Sequence, residues 1–82
     1  MSEKRIAVIS IIVEDREASP QINKILSEFG DYVVGRMGIP YKEKGVSVIS
    51  MVVDAPMEIT NQITGKLGML SGVTAKTAVS KI

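Results

Sequence analysis

Four runs rich in β-branched and other apolar residues, at 5–13, 32–39, 46–53 and 73–80, alternate with two stretches of helical periodicity. The order is β-α-β-β-α-β, and no linker, low-complexity stretch or charge run separates the elements. The run from Arg5 to Val13 ends in Glu14-Asp15-Arg16 and suits a central strand covered on both faces. Asp15 or Ser19 is placed to cap the first helix, with Ser19-Pro20 as a cap and first turn. Ile22, Ile25, Leu26 and Phe29 then recur on one helical face before Gly30. Pro40 is expected to end the second strand by withholding a donor, and Tyr41 to Gly45 to form a hairpin loop. Pro56 opens a second helix with Ile59, Ile63, Leu67 and Leu70 on one face, and Ser71-Gly72 closes it.

This order has a well-defined solution. Each β-α-β half needs a right-handed crossover, and the hairpin sets the third strand beside both the first and the second. The fold expected is α+β and ferredoxin-like: a four-stranded antiparallel sheet ordered 4-1-3-2, with both helices on one face. Eighty-two residues suffice for one such domain, spanning 1–82, and not for two cores.

Strand alternation divides the sheet residues into two sets. Ala7, Ile9, Ile11, Val13, Val33, Gly35, Met37, Ile39, Ile49, Met51, Val53, Val73, Ala75, Thr77 and Val79 form a nearly pure apolar set, expected beneath the helices. The other face is expected to carry Ile6, Val8, Ser10, Ile12, Tyr32, Val34, Arg36, Val46, Val48, Ser50, Val52, Thr74, Lys76, Ala78 and Ser80. That second face is too apolar to be left to water, and such a patch marks an interface. Val8, Val34, Val46, Val48 and Val52 are therefore the expected contacts of a homo-oligomer, a dimer or tetramer. Arg36, expected on this face with Ser10 and Ser50, needs an anionic or carbonyl partner, such as a carboxylate of a second subunit.

Composition removes several function classes. The chain has neither Cys nor His, so thiolate chemistry, an imidazole base and the usual transition-metal ligands are missing. No metal site and no cofactor are expected. A formal net charge of +1 and 4% aromatic residues do not suit direct nucleic-acid binding. Lys4-Arg5 and the apolar run after it resemble a secretory signal, but Glu14-Asp15-Arg16 follows at once without a small-residue cleavage pattern. The run is also far shorter than the ~20 residues of a membrane-spanning helix. The expected location is the cytoplasm, with no membrane partner.

The remaining motifs are weak. Gly65-Lys66-Leu67-Gly68 lacks the leading Gly and trailing Ser or Thr of a phosphate-binding loop, and it lies inside an amphipathic helix. It reads best as two small residues that let a helix pack closely. The central strands hold no aromatic residue for RNA stacking. Arg16 and Asn61 supply the residue types of an acylphosphatase-like hydrolase, but the loop before Arg16 is acidic rather than a glycine-rich anion cradle. Glu14 and Asp15 read as a solvated turn with a helix cap.

Arg5 to Arg16, Arg36-x-Gly38-x-Pro40, Gly65-Lys66-Leu67-Gly68 and Ser71-Gly72-Val73-x-x-Lys76 together resemble the iron-only hydrogenase system regulators over nearly the whole chain. These are small proteins similar in fold to ACT domains and to the C-terminal domain of nickel-responsive repressors. The resemblance implies an ACT-like domain, oligomerisation and association with assembly of an iron-only hydrogenase. Two departures stand out. The loop Glu14 to Ser19 lacks the glycine that ACT domains often use to bind amino acids, and the His and Cys ligands of nickel-responsive repressors are absent.

The sequence thus points to a non-enzymatic, oligomeric regulatory or sensor domain linked to the iron-only hydrogenase system, acting on a small ligand or a maturation or hydrogenase protein. The alternatives are a purely structural adaptor with no small ligand and, more weakly, the hydrolase. Candidate ligand- or partner-binding side chains are Ser10, Arg16, Arg36, Ser50 and Lys66.

Overall fold

A computed structural model describes residues 3–81, so Met1, Ser2 and Ile82 of the domain expected over 1–82 lie outside the described residues. The elements in chain order are β1 (Lys4–Val13), α1 (Ser19–Glu28), β2 (Val33–Tyr41), β3 (Val46–Pro56), α2 (Met57–Gly68) and β4 (Val73–Val79). All strand pairs are antiparallel and the sheet order is β2-β3-β1-β4, the expected 4-1-3-2 read from the other edge. The fold is the ferredoxin-like α+β sandwich.

The core lies between the sheet and both helices. Ala7, Ile9, Ile11 and Val13 of β1 and Met51 and Val53 of β3 pack with Ile22 and Leu26 of α1 and Ile63 and Leu67 of α2. From Ala7 to Val13 every second residue of β1 is buried, so within the subunit the strand is covered by helices on one face and not, as expected, on both. Thr60 is also fully buried on α2, and its hydroxyl has no hydrogen-bond partner. One turn on, the Thr64 hydroxyl donates to the Thr60 carbonyl at 3.0 Å and meets the hydroxyl of Thr77, tying α2 to β4.

The caps resolve one open choice. Asp15 accepts from the Glu17 N–H at 2.9 Å and caps a 3-10 turn, Arg16–Ala18, that feeds α1; Ser19 begins the helix without capping it. Gly72, at φ +75, turns the chain into β4, and its carbonyl accepts from the Glu14 N–H at 2.7 Å.

The expectations for β2 need correction. The strand does not end at Pro40 but runs through it to Tyr41, because β2 is an edge strand with one side free of ladder partners. The hairpin loop shrinks to Lys42–Lys44 and Gly45, whose φ of 66 is in the left-handed region. Tyr32 is not on the strand at all. It closes a 3-10 turn (Gly30–Tyr32) and packs against the core.

The larger correction comes from a β-bulge. Val33 pairs with Val53, but the next pair is Gly35 with Val52, so Val34 has no opposite number. One extra residue reverses the parity of everything after it. Gly35, Met37 and Ile39 lie opposite Val52, Ser50 and Val48 and so share the open face, not the helix side. Arg36 lies opposite Met51 and so belongs to the helix side, away from Ser10 and Ser50.

Candidate functional site: the open sheet face and the α1–β2 groove

Register alone lays out the open face. Reading across β2-β3-β1-β4, one row is Ile39-Val48-Ile12-Thr74, the next is Met37-Ser50-Ser10-Lys76 and a third is Gly35-Val52-Val8-Ala78. Two rows of apolar or small residues thus flank a polar row. Ile6 extends the third side, and Tyr41 and Val46 pair beyond the first. Ile6, Val8, Ile12, Met37, Ile39, Tyr41 and Val48 are all exposed, with Met37 at 60% and Ile39 at 51%. Val34, the bulged residue, is 69% exposed.

The site residues expected from sequence therefore separate. Ser10 and Ser50 are direct cross-strand partners at the centre of the open face, among Val8, Val46, Val48 and Val52. Arg16 is exposed on the 3-10 turn after β1. Lys66 is engaged within the chain: its Nζ lies 3.2 Å from Glu28 Oε2 and 5.2 Å from the centre of the Phe29 ring. Gly65 and Gly68 do not serve close packing inside this fold, since a Cβ at either would meet nothing within 4 Å.

Arg36 opens onto a groove between α1 and β2. One end, a hollow of about 510 Å³, is lined by Asn23, Leu26 and Ser27 of α1 and by Gly35 and Arg36 of β2, with Met51 beneath. The other, of about 230 Å³, is lined by Ile22, Pro40 and Ile49 among others, with Asn23 again on its wall. Ile49, expected deep beneath the helices, is only half-buried because it borders this groove. Sequence reasoning missed Met37, Ile39 and Tyr41 on the open face and Asn23 and Ser27 in the groove. Gly35 inside a strand was the available signal for the bulge. The groove had no such signal, since it depends on where α1 comes to rest.

Among the described residues no helix is long and apolar enough to cross a membrane, and no three His, Cys, Asp or Glu residues are grouped to hold a metal ion.

The chain is similar in structure to the uncharacterized protein TM1266 from Thermotoga maritima, at 38% identity and a TM-score of 0.93, over 96% of this chain and 100% of that one. It is also similar to a formyltetrahydrofolate deformylase from Pseudomonas putida KT2440, at a TM-score of 0.64 over 89% of this chain and 28% of that one. At 10% identity, that second likeness shows the fold alone. No curated protein matches the chain. The model of the TM1266-like family, described as "Iron-only hydrogenase system regulator, putative", matches residues 5–77, and the chain belongs to that family.

Proposed function

We propose that this protein is a non-enzymatic regulatory domain of the iron-only hydrogenase system, and that it works as a homo-oligomer whose subunits meet through the open sheet face. Family membership supports the link to that system. The observation that carries the oligomer is the open face itself. Its exposed Ile39, Val48 and Ile12 occupy three successive cross-strand positions, with Met37 beside Ile39 on β2 and Ile6 and Val8 further along β1. Full burial of such a side chain contributes roughly 1.5–3 kcal/mol, and covering the exposed half of several together favours pairing over hydration. Ser10 and Ser50 at its centre supply hydrogen-bonding groups to the opposed surface, while Lys76 keeps the patch from being uniformly apolar.

As a regulator the protein acts by binding, either a small ligand or a protein of hydrogenase maturation. We assign it to the cytoplasm. The apolar run that superficially matches a secretory signal is the sheet's inner strand β1, which supports that reading.

Size-exclusion chromatography with light scattering tests the oligomer. A dimer or tetramer at micromolar concentration supports the reading, and a stable monomer overturns it. In the monomer case the same face is left for a different polypeptide, and the adaptor reading takes its place.

A further inference from the structure

We infer that the groove between α1 and β2 is a carboxylate-binding site, with Arg36 as its anion anchor and an apolar end that takes the ligand's hydrocarbon body. The groove lies on the helix side of the sheet, opposite the open face, so this inference goes beyond the proposed oligomer and does not depend on it.

The bulge at Val34 builds the site. Without that extra residue Arg36 would face the same way as Ser10 and Ser50; with it, the guanidinium is delivered beside Asn23 and Ser27 of α1. Among the described residues no carboxylate is paired with Arg36. Gly38, opposite Ile49 and so on the same side as Arg36, keeps the floor clear. A Cβ there would meet only Ile49 Cγ1 at 4.0 Å, so this glycine is not required by packing. Arg36, Gly38, Asn23 and Ile49 line a further hollow that shares Asn23 and Arg36 with the polar end and Asn23, Gly38 and Ile49 with the apolar one.

The lining selects the ligand class. One guanidinium with neutral amide and hydroxyl groups balances a single negative charge and pairs with a carboxylate in bidentate fashion. A phosphate dianion would be left undercompensated. None of the residues lining the groove is acidic, so no carboxylate there balances an ammonium charge beside Arg36, and a free α-amino acid is disfavoured. Ile22, Pro40 and Ile49 offer an apolar surface at the far end. A carboxylate on a branched hydrocarbon body fits both ends. It can come from a free carboxylic acid or from the C-terminal residue of a polypeptide.

An NMR titration of the intact protein decides this, with 4-methylpentanoate and the peptide N-acetyl-Gly-Gly-Leu as probes and their amides as controls. The inference predicts saturable shifts at Asn23, Ser27, Gly35, Arg36 and Gly38 with a carboxylate probe and none with its amide. Arg36→Gln weakens binding by about tenfold or more, the effect of removing a charge-assisted pair. Gly38→Val, which fills the floor, removes binding while circular dichroism shows the native fold. Binding of 4-methylpentanoate assigns a free acid, and binding of the peptide alone assigns a chain terminus. No saturable shift with either carboxylate at millimolar concentration, equal binding of the amides, or undiminished binding by Arg36→Gln overturns the assignment. Should Gly38→Val not fold, the exposed Arg36 position still gives the decision.

Discussion

Gly72 and Asp15 are packed so closely that a Cβ built on Gly72 would stand 2.6 Å from the Asp15 Cβ. With the bond from the Glu14 N–H to the Gly72 carbonyl, this contact locks the turn after β1 to the turn before β4. The chain can take that path only at a glycine, both for space and for its φ of +75.

Gly72→Ala is therefore expected to destabilise the fold by about 2–4 kcal/mol, combining left-handed strain with a backbone-proximal clash. Urea unfolding followed by circular dichroism measures it. Gly45→Ala, which shares the positive φ but meets nothing within 4 Å, should cost only the strain component. Equal losses at the two positions would contradict the role given to the Asp15 contact.

Thr60 sits in the opposite situation. Its hydroxyl is buried without a partner, so the side chain loses its hydration and gains no bond in return. Thr60→Val should stabilise the protein by about 1 kcal/mol, raising Tm by about 4–8 °C in a domain of this size. The Thr64 bond survives because it uses the Thr60 backbone carbonyl. A lower Tm in the variant would mean that the hydroxyl has a structural task.

The contact between Lys66 and Glu28 joins α2 to the end of α1 but is half exposed to water, at 48% and 46%. Exposed pairs contribute about 0–1 kcal/mol. Glu28→Gln should accordingly change the unfolding free energy by less than about 1 kcal/mol, and the difference should fade in high salt.

Much of the fold could be read from residue order because β1 is paired on both sides without interruption. Ala7, Ile9, Ile11 and Val13 alternate faithfully inward, and the helical repeats Ile22–Leu26 and Ile63–Leu67 meet them. Alternation is a statement about continuous pairing, and it failed where pairing was broken. Val34 has no partner across the strand, so uninterrupted alternation puts Gly35, Arg36, Met37 and Ile39 on the wrong side. Pro40 misled for a related reason: a proline stops a strand only where its missing donor was needed, and an edge strand has positions where it was not. Of the candidate site, the central Ser10–Ser50 pair and its valines were legible, whereas the pairing of Lys66 with Glu28 is a contact between helices that no local pattern encodes.

The bulge is testable through its neighbours. Met37→Asp places a charge on the open face and should weaken self-association, while Arg36→Asp, on the helix side, should leave it intact. Light scattering on the two variants distinguishes them. The reverse result would restore uninterrupted alternation in β2.

The central claim is that the open face is buried between subunits, and Val48 tests it most directly. Val48 lies in the apolar row between Ile39 and Ile12, facing away from the core. An Asp there is hydrated in the separated subunit but buried and unpaired in the assembly. Ile9→Asp, at a fully buried position, should instead abolish folding, since desolvating an unpartnered carboxylate costs several kcal/mol against a total of roughly 5–15. The decisive measurement is light scattering of wild type and Val48→Asp at equal micromolar concentration, with circular dichroism recorded on the same samples. The account predicts a wild-type oligomer and a folded Val48→Asp monomer. A Val48→Asp protein that stays fully assembled, or a wild type that is monomeric, would contradict it.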